Sequence, residues 1–178
     1  MIINRRWAMP NKWTFTIKPI KELLSRYVGD GVGWIDPFAG MNSPAEITND
    51  LNPDRPTKYH LHAEDFLNII VDRGNDFTGC LFDPPYSPHQ TKECYEGFGI
   101  NMKYEDDGRH GWSKTRALIS EALGGNGICI SCGWNTVGIG KKRGFEIVEI
   151  LLVSHGIGHN DTIVTVEKKV NNTLDAYI

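Results

Sequence analysis

Apolar residues along this chain come in short runs separated by longer amphipathic stretches, and the two periodicities predict different elements. Seven runs have strand length: residues 32–37, 45–49, 59–62, 78–83, 127–132, 145–154 and 162–168. Between them, apolar positions spaced by three and four predict helices over 19–27, 64–72, 113–123 and 137–143. Ser113 reads as an N-cap and Gly124-Gly125 as a stop. Strands alternating with helices predict an α/β architecture, a seven-stranded and mostly parallel sheet with helices on both faces. The last two strands are joined by HGIGHND, too short for a helical crossover, so they form an antiparallel final hairpin. Residues 87–112 form the longest region without a clear element. No repeat, low-complexity tract or linker interrupts the pattern, and residues 1–178 read as one domain.

Composition adds exclusions. The chain is 40% hydrophobic and 23% charged, as ordinary globular domains are. No apolar stretch approaches the ~18 residues of a membrane span, and MIINRRWAMPNKW lacks the apolar centre of a secretory leader. The expectation is a cytoplasmic protein without a membrane partner. Of the four cysteines only Cys129 and Cys132 have metal-ligand spacing. They fall in a strand-like run that turns them to opposite faces, so no metal is expected and the thiols read as core residues. His155 and His159 flank the final turn and read either as ligands or as turn residues. Charge is uneven: residues 1–26 hold six cations against Glu22 alone, a net +5, and since the whole chain stands at −3 the rest carries −8. A basic arm on an acidic body suits contact with a polyanion, and equally a solvated patch.

The chemistry sits at strand ends, where open parallel sheets bind ligands. Asp36-Pro37-Phe38-Ala39-Gly40 closes the first run, Asn49-Asp50-Leu51-Asn52 the second, Glu64-Asp65-Phe66 follows the third, and Asp83-Pro84-Pro85-Tyr86 ends the fourth. This set resembles the S-adenosylmethionine-dependent amino-methyltransferases, specifically the DNA adenine methyltransferases, whose hallmark Asp-Pro-Pro-Tyr stands intact at 83–86. The resemblance covers about Thr14 to Lys168 with the motifs in the family's order. The compact form looks like the stand-alone methylases of phages and mobile elements.

The resemblance implies a Rossmann-like class I methyltransferase fold and S-adenosyl-L-methionine as cofactor. Thr14-Phe15-Thr16 would hold its methionine end, and Gly40 would let the backbone approach it closely. Asp36 would face its amino group or orient the loop amides. Asp50 would accept both ribose hydroxyls, Leu51 would press on the adenine, and Asp65 would accept from the adenine amine beside the apolar wall of Phe66. Phe38 belongs to the same cofactor set. For the substrate, Asp83 and the carbonyl of Pro84 would accept the two N–H groups of an exocyclic amine, Pro85 would fix the backbone direction, and Tyr86 would stack on the base. The amine cannot be reached inside a duplex, so the partner is DNA with an extruded adenine. Trp134 and Asn135 resemble the family's base-pocket wall. Lys141, Lys142 and Arg143 read either as a phosphate contact or as a solvated helix end.

An aspartate at position 83 favours DNA adenine, since the asparagine form is shared by enzymes acting on RNA bases and protein glutamine. The Ser-Pro-Pro-Tyr of cytosine amine enzymes is absent. Sequence-specific relatives carry a separate target-recognition region, whereas here only 87–112 is free to vary. This enzyme would then read a short site, read almost nothing, or borrow recognition from a partner or second copy. The alternatives are an RNA adenine or protein amide methyltransferase, and a catalytically silent nucleic-acid-binding homologue.

Overall fold

Apolar residues on the central strands alternate between two cores, and that alternation places the helices. In the computed structural model, which describes residues 1–74, 76–97, 99 and 112–170, Trp34, Leu81, Ile130 and Cys132 face one core. Their neighbours Ile35, Cys80, Phe82 and Cys129 face the other, the period of two that a sheet buried on both sides requires. The strands are β1 (Ile2–Trp7), β2 (Trp34–Asp36), β3 (Ile47–Thr48), β4 (Phe77–Phe82), β5 (Leu123–Gly133), β6 (Phe145–Ser154) and β7 (Thr162–Lys169). The helices are α1 (Lys18–Val28), α2 (Ala63–Asp72), α3 (Pro88–Gly97) and α4 (Ser113–Ala122). One seven-stranded sheet runs β1-β6-β7-β5-β4-β2-β3. All its pairings are parallel except those of β7, which is antiparallel to both β5 and β6.

Helix α1 covers the first core with Ile20, Leu23, Leu24 and Val28, a stripe at helical spacing. Four such aliphatics contribute ~1.5–3 kcal/mol each on burial. On the other face, Phe66, Leu67 and Ile70 of α2 and Ile119 and Ala122 of α4 close the second core. No helix among the described residues is long and apolar enough to cross a membrane.

Five expectations are corrected. Residues 2–7 are an edge strand rather than a loose arm; their burial pattern has no alternation to detect, because neither face is covered. The strand is held by a parallel ladder with β6 over its whole length, and at one end Glu149 accepts from its Asn4 (3.3 Å) as well as from two guanidinium nitrogens of Arg26 (2.8 and 3.2 Å) and the Tyr27 hydroxyl (2.8 Å) of α1. The segment 59–62 makes only a single parallel bridge, Asn49 to Tyr59. Residues 137–143 are not a helix: Gly138 and Gly140 take φ of 50° and 93°, and only Lys141–Arg143 closes a 3-10 turn. The region 87–112 begins with α3, where Ser87 Oγ accepts the Gln90 N–H and the buried Thr91 and Tyr95 lie four residues apart. Residues 98 and 100–111, which include Phe98, Lys103, Tyr104, Glu105, Asp106, Asp107 and Arg109, lie outside the described residues. Finally, α4 is preceded by Trp112 rather than capped by Ser113, and it passes straight into β5 at Leu123. Gly124-Gly125 therefore lies within the strand, where the pairing with β4 shifts register.

Candidate active site

Parallel strands leave their carboxyl ends along one edge, and β2, β3 and β4 deliver their terminal residues there side by side. Asp36 ends β2 and is fully buried; its Oδ1 accepts the Phe38 N–H (2.9 Å) and its Oδ2 bonds Ser43 Oγ (2.6 Å). Burial, partly offset by those bonds, pushes its carboxyl up to about 8. Asp36 thus shapes the turn from inside and does not line a cavity. The turn ends at Gly40, whose φ of 57° suits a residue without Cβ. Its N–H donates to Asp50 Oδ2 (2.9 Å), while Asp50 Oδ1 accepts the Asn52 N–H (2.8 Å). One carboxylate therefore ties together the loops after β2 and β3.

These loops border a cavity of about 740 Å³, within the range of small-molecule sites. Of the residues the resemblance assigns to the cofactor, Thr14, Phe38, Asp50, Leu51, Asp65 and Asp83 line it, and Gly40 does not. Phe15 and Phe66 do not: both are buried in the cores, Phe66 against Tyr59 at 5.5 Å. Thr16 turns back onto the Trp13 carbonyl (2.8 Å).

At the end of β4, the Asp83 carboxyl stands half-buried in the wall of the larger cavity. Its Oδ1 accepts from the Tyr86 hydroxyl (2.5 Å), and the Thr14 side chain lies in bonding reach. Desolvation lifts its pKa, while the two hydroxyls pull the other way. Burial also lifts the Tyr86 phenol, with the Asp83 charge adding.

Behind Asp83 opens a second cavity of about 250 Å³. Pro84, Pro85, Tyr86 and Trp112 line both spaces, so the Asp-Pro-Pro-Tyr turn is their common wall. Trp112 stands edge-on to Phe38 at 5.2 Å, with its indole N–H 3.4 Å from the Pro85 carbonyl. Trp134 and Asn135, just past β5, line the far side, and Trp134 meets Tyr86 edge-on at 5.7 Å. Lys141 and Lys142 are exposed and border neither cavity. Arg143 is engaged internally, donating to the Ile139 carbonyl and to Ser113.

Sequence reasoning missed several residues. Gln90, Cys94 and Tyr95 of α3 line the larger cavity, and a helical reading of PHQTKECYEG would have found them. Glu167 of β7 is buried and accepts the N–H groups of Ile139 (2.5 Å) and Gly140 (2.9 Å), clamping the loop that carries Trp134. Burial raises its carboxyl. Nothing local in the chain points to that role. His155 bonds the Ala8 carbonyl and Thr162 Oγ1, both at 2.8 Å. Cys80, Cys129 and Cys132 are buried, and no metal-binding group of His, Cys, Asp or Glu occurs among the described residues.

No protein-family model matches the chain, and no curated protein sequence does. Solved structures do. The 1,6-didemethyltoxoflavin-N1-methyltransferase of Burkholderia thailandensis, with 1,6-didemethyltoxoflavin and S-adenosylhomocysteine bound, superposes with a TM-score of 0.56 at 10% identity. That match covers 86% of this chain and 78% of the other. TrmN from Thermus thermophilus gives 0.53 at 14% identity, over 86% of this chain and 49% of the other, so this chain spans about half of that protein. At such identities the likeness establishes the fold, the Rossmann-like α/β fold of methyltransferases.

Proposed function

We propose that this protein is an S-adenosylmethionine-dependent methyltransferase acting on the exocyclic amine of an adenine extruded from DNA. The observation that carries the reading is the Asp83-Pro84-Pro85-Tyr86 turn standing as the shared wall between a large polar cavity and a smaller aromatic one. The larger cavity fits the cofactor by its donor set. Asp50 keeps unshared lone pairs for a ribose diol, Asp65 at the start of α2 offers an acceptor for an adenine amine, and Leu51 supplies an apolar contact. When bound, the cofactor supplies an electrophilic methyl group. Fold likeness to a methyltransferase solved with S-adenosylhomocysteine supports the same assignment.

The residues of the chain would act on the amine. Its lone pair is delocalised into the purine ring and is a weak nucleophile. Asp83 and the Pro84 carbonyl, accepting its two N–H groups, draw the nitrogen towards tetrahedral geometry and aim the lone pair at the methyl. Asp83 in its carboxylate form also stabilises the positive charge that develops on nitrogen. In the structure that carboxyl is held by the Tyr86 hydroxyl, which keeps it oriented until an amine replaces or shares that bond. Tyr86 and Trp134 offer rings for an inserted base, each such stack being worth ~1–3 kcal/mol. The base must be flipped out of a duplex to reach this pocket.

The test is methyl transfer from labelled cofactor to DNA, RNA and protein offered in parallel, with the modified nucleoside identified by mass spectrometry. N6-methyladenine in DNA is the expected product. Label in RNA or protein alone would reassign the substrate, and cofactor binding without label anywhere would leave a silent homologue.

A further inference from the structure

Two prolines in succession leave the turn after β4 with few backbone handles. Pro84 and Pro85 carry no N–H and their rings lock φ, so Tyr86 supplies the first backbone donor after Asp83. The peptide bond between Pro85 and Tyr86 is planar and trans, so its carbonyl and its N–H point in opposite directions. Side chains meet it on both sides. The Tyr86 N–H donates to Gln90 Oε1 of α3 (2.7 Å), and the Pro85 carbonyl faces the indole N–H of Trp112, just before α4 (3.4 Å).

The two holding residues are themselves constrained. Gln90 donates its own N–H to Ser87 Oγ (3.2 Å), and the Thr91 hydroxyl donates to the Ser87 carbonyl (3.0 Å), so the first turn of α3 closes on the residue next to Tyr86. Trp112 stands at φ 59° and ψ 33°, the left-handed region that a bulky side chain rarely enters. Such a conformation persists where surrounding contacts fix it, and the Trp112 ring is set edge-on against Phe38 at 5.2 Å. Gln90 and Trp112 both line the larger cavity.

We propose that Gln90 is a positioning residue for methyl transfer, fixing with Trp112 the Pro85–Tyr86 peptide plane and through it the Pro84 carbonyl and the Tyr86 hydroxyl. The inference rests on the reaction proposed above and adds a residue to it. With φ of Pro85 locked by its ring, the direction of the Pro84 carbonyl relative to that plane depends on a single torsion, ψ of Pro85. Holding the plane on both sides removes that freedom. The Tyr86 side chain leaves the same plane, so the hydroxyl that reaches Asp83 Oδ1 starts from a fixed base. A carbonyl displaced by about 1 Å would meet the amine badly when its lone pair must point at the methyl, a misplacement of the kind that costs ~10²-fold in rate. Gln90 acts here through the turn rather than on the reacting atoms.

The experiment is single-turnover methyl transfer to unmethylated DNA at saturating cofactor, with KM for DNA and calorimetric titration of S-adenosylhomocysteine on the same proteins. Gln90→Met keeps the length and helix preference of glutamine and loses the acceptor, whereas Gln90→Glu keeps the acceptor. The methionine variant is expected to lose about 10- to 100-fold in rate, with KM and the S-adenosylhomocysteine dissociation constant each within about threefold of native. The glutamate variant should recover most of that loss. Trp112→Phe retains a ring beside Phe38 without the N–H, and should lower the rate several-fold with the same pattern. Binding of S-adenosylhomocysteine shows that each variant is folded. Native rates in Gln90→Met or Trp112→Phe would overturn the proposal. Equal losses in the methionine and glutamate variants would do so too, because shape rather than the bond would then matter. A weakened S-adenosylhomocysteine complex with the rate intact at saturation would make Gln90 a cofactor contact, which also overturns it. Failure of the unsubstituted protein to methylate DNA would instead overturn the reaction on which the proposal rests.

Discussion

Asp36 and Asp83 end adjacent strands, the first fully buried and the second half-buried at a cavity wall, and their neighbours give them different work. Asp36 is closed off from the cavities and serves the turn, so its protonation is a matter of stability. Its pKa rises from 3.8 in the ordinary carboxyl to about 8 in the fold, which means the fold prefers the neutral form. The stability it contributes is fully present below about pH 4, falls as pH climbs towards 8, and levels off above that. Asparagine can accept the Phe38 N–H and donate to Ser43 without titrating. Asp36→Asn is therefore expected to gain on the native protein by an amount on the order of a few kcal/mol between pH 5 and pH 9, with affinity for S-adenosylhomocysteine within about threefold. Parallel melting curves across that range would contradict this. Asp83 faces the cavity and is needed as the carboxylate. Asp83→Ala should cut single-turnover methylation by at least ~10²-fold while cofactor affinity changes less than about threefold, because the lost interaction belongs to the transition state. Asp83→Asn keeps an acceptor and should retain more activity. The native rate should fall as pH drops through the raised Asp83 pKa, and the asparagine variant should lack that limb of the profile.

At the scale of elements, the loop between β5 and β6 shows how a distant strand sets a local conformation. Its glycines lean towards no single structure, and alone they would leave Trp134 loosely placed. Glu167, opposite on β7, binds two consecutive amides, and a Cβ on Gly138 would collide with that carboxylate. Arg143 holds the same loop by the Ile139 carbonyl and fastens it to the start of α4. Removing the clamp in Glu167→Ala strands buried N–H groups and should lower stability by about 1–3 kcal/mol. In steady-state assays it should raise KM for DNA several-fold while leaving the cofactor dissociation constant unchanged, since the larger cavity does not touch this loop. A fall in kcat with unaltered KM would show that the loop does not form the base pocket.

Across the whole molecule, charge and fold were separable in advance to different degrees. The +5 of residues 1–26 was legible, but the structure divides it: Arg26 is bound to Glu149, Lys12 turns to Trp13, and Arg5 and Arg6 remain exposed on β1. If the exposed pair meets phosphates, Arg5→Gln with Arg6→Gln should flatten the log–log salt dependence of DNA binding by about two, at ~0.9 per phosphate contact, in equilibrium titrations between 50 and 200 mM salt. An unchanged slope would move the contact to Lys141 and Lys142. The α/β class, the two-sided sheet, the antiparallel final hairpin and the strand-end placement of Asp36, Asp50 and Asp83 all followed from the sequence. They rest on local periodicity and on the rule that parallel strands gather their carboxyl ends at one edge, which need no knowledge of distant contacts. The tertiary structure alone decided the rest. It made 2–7 a strand by pairing it with β6, withdrew Asp36 and Phe66 from the cavity, recruited Glu167 from β7, and set Lys12 and Arg55 on one indole. Each of those depends on residues far apart in the chain meeting in a low-dielectric interior or at a cavity wall, where desolvation and pairing, rather than local pattern, fix what a side chain does.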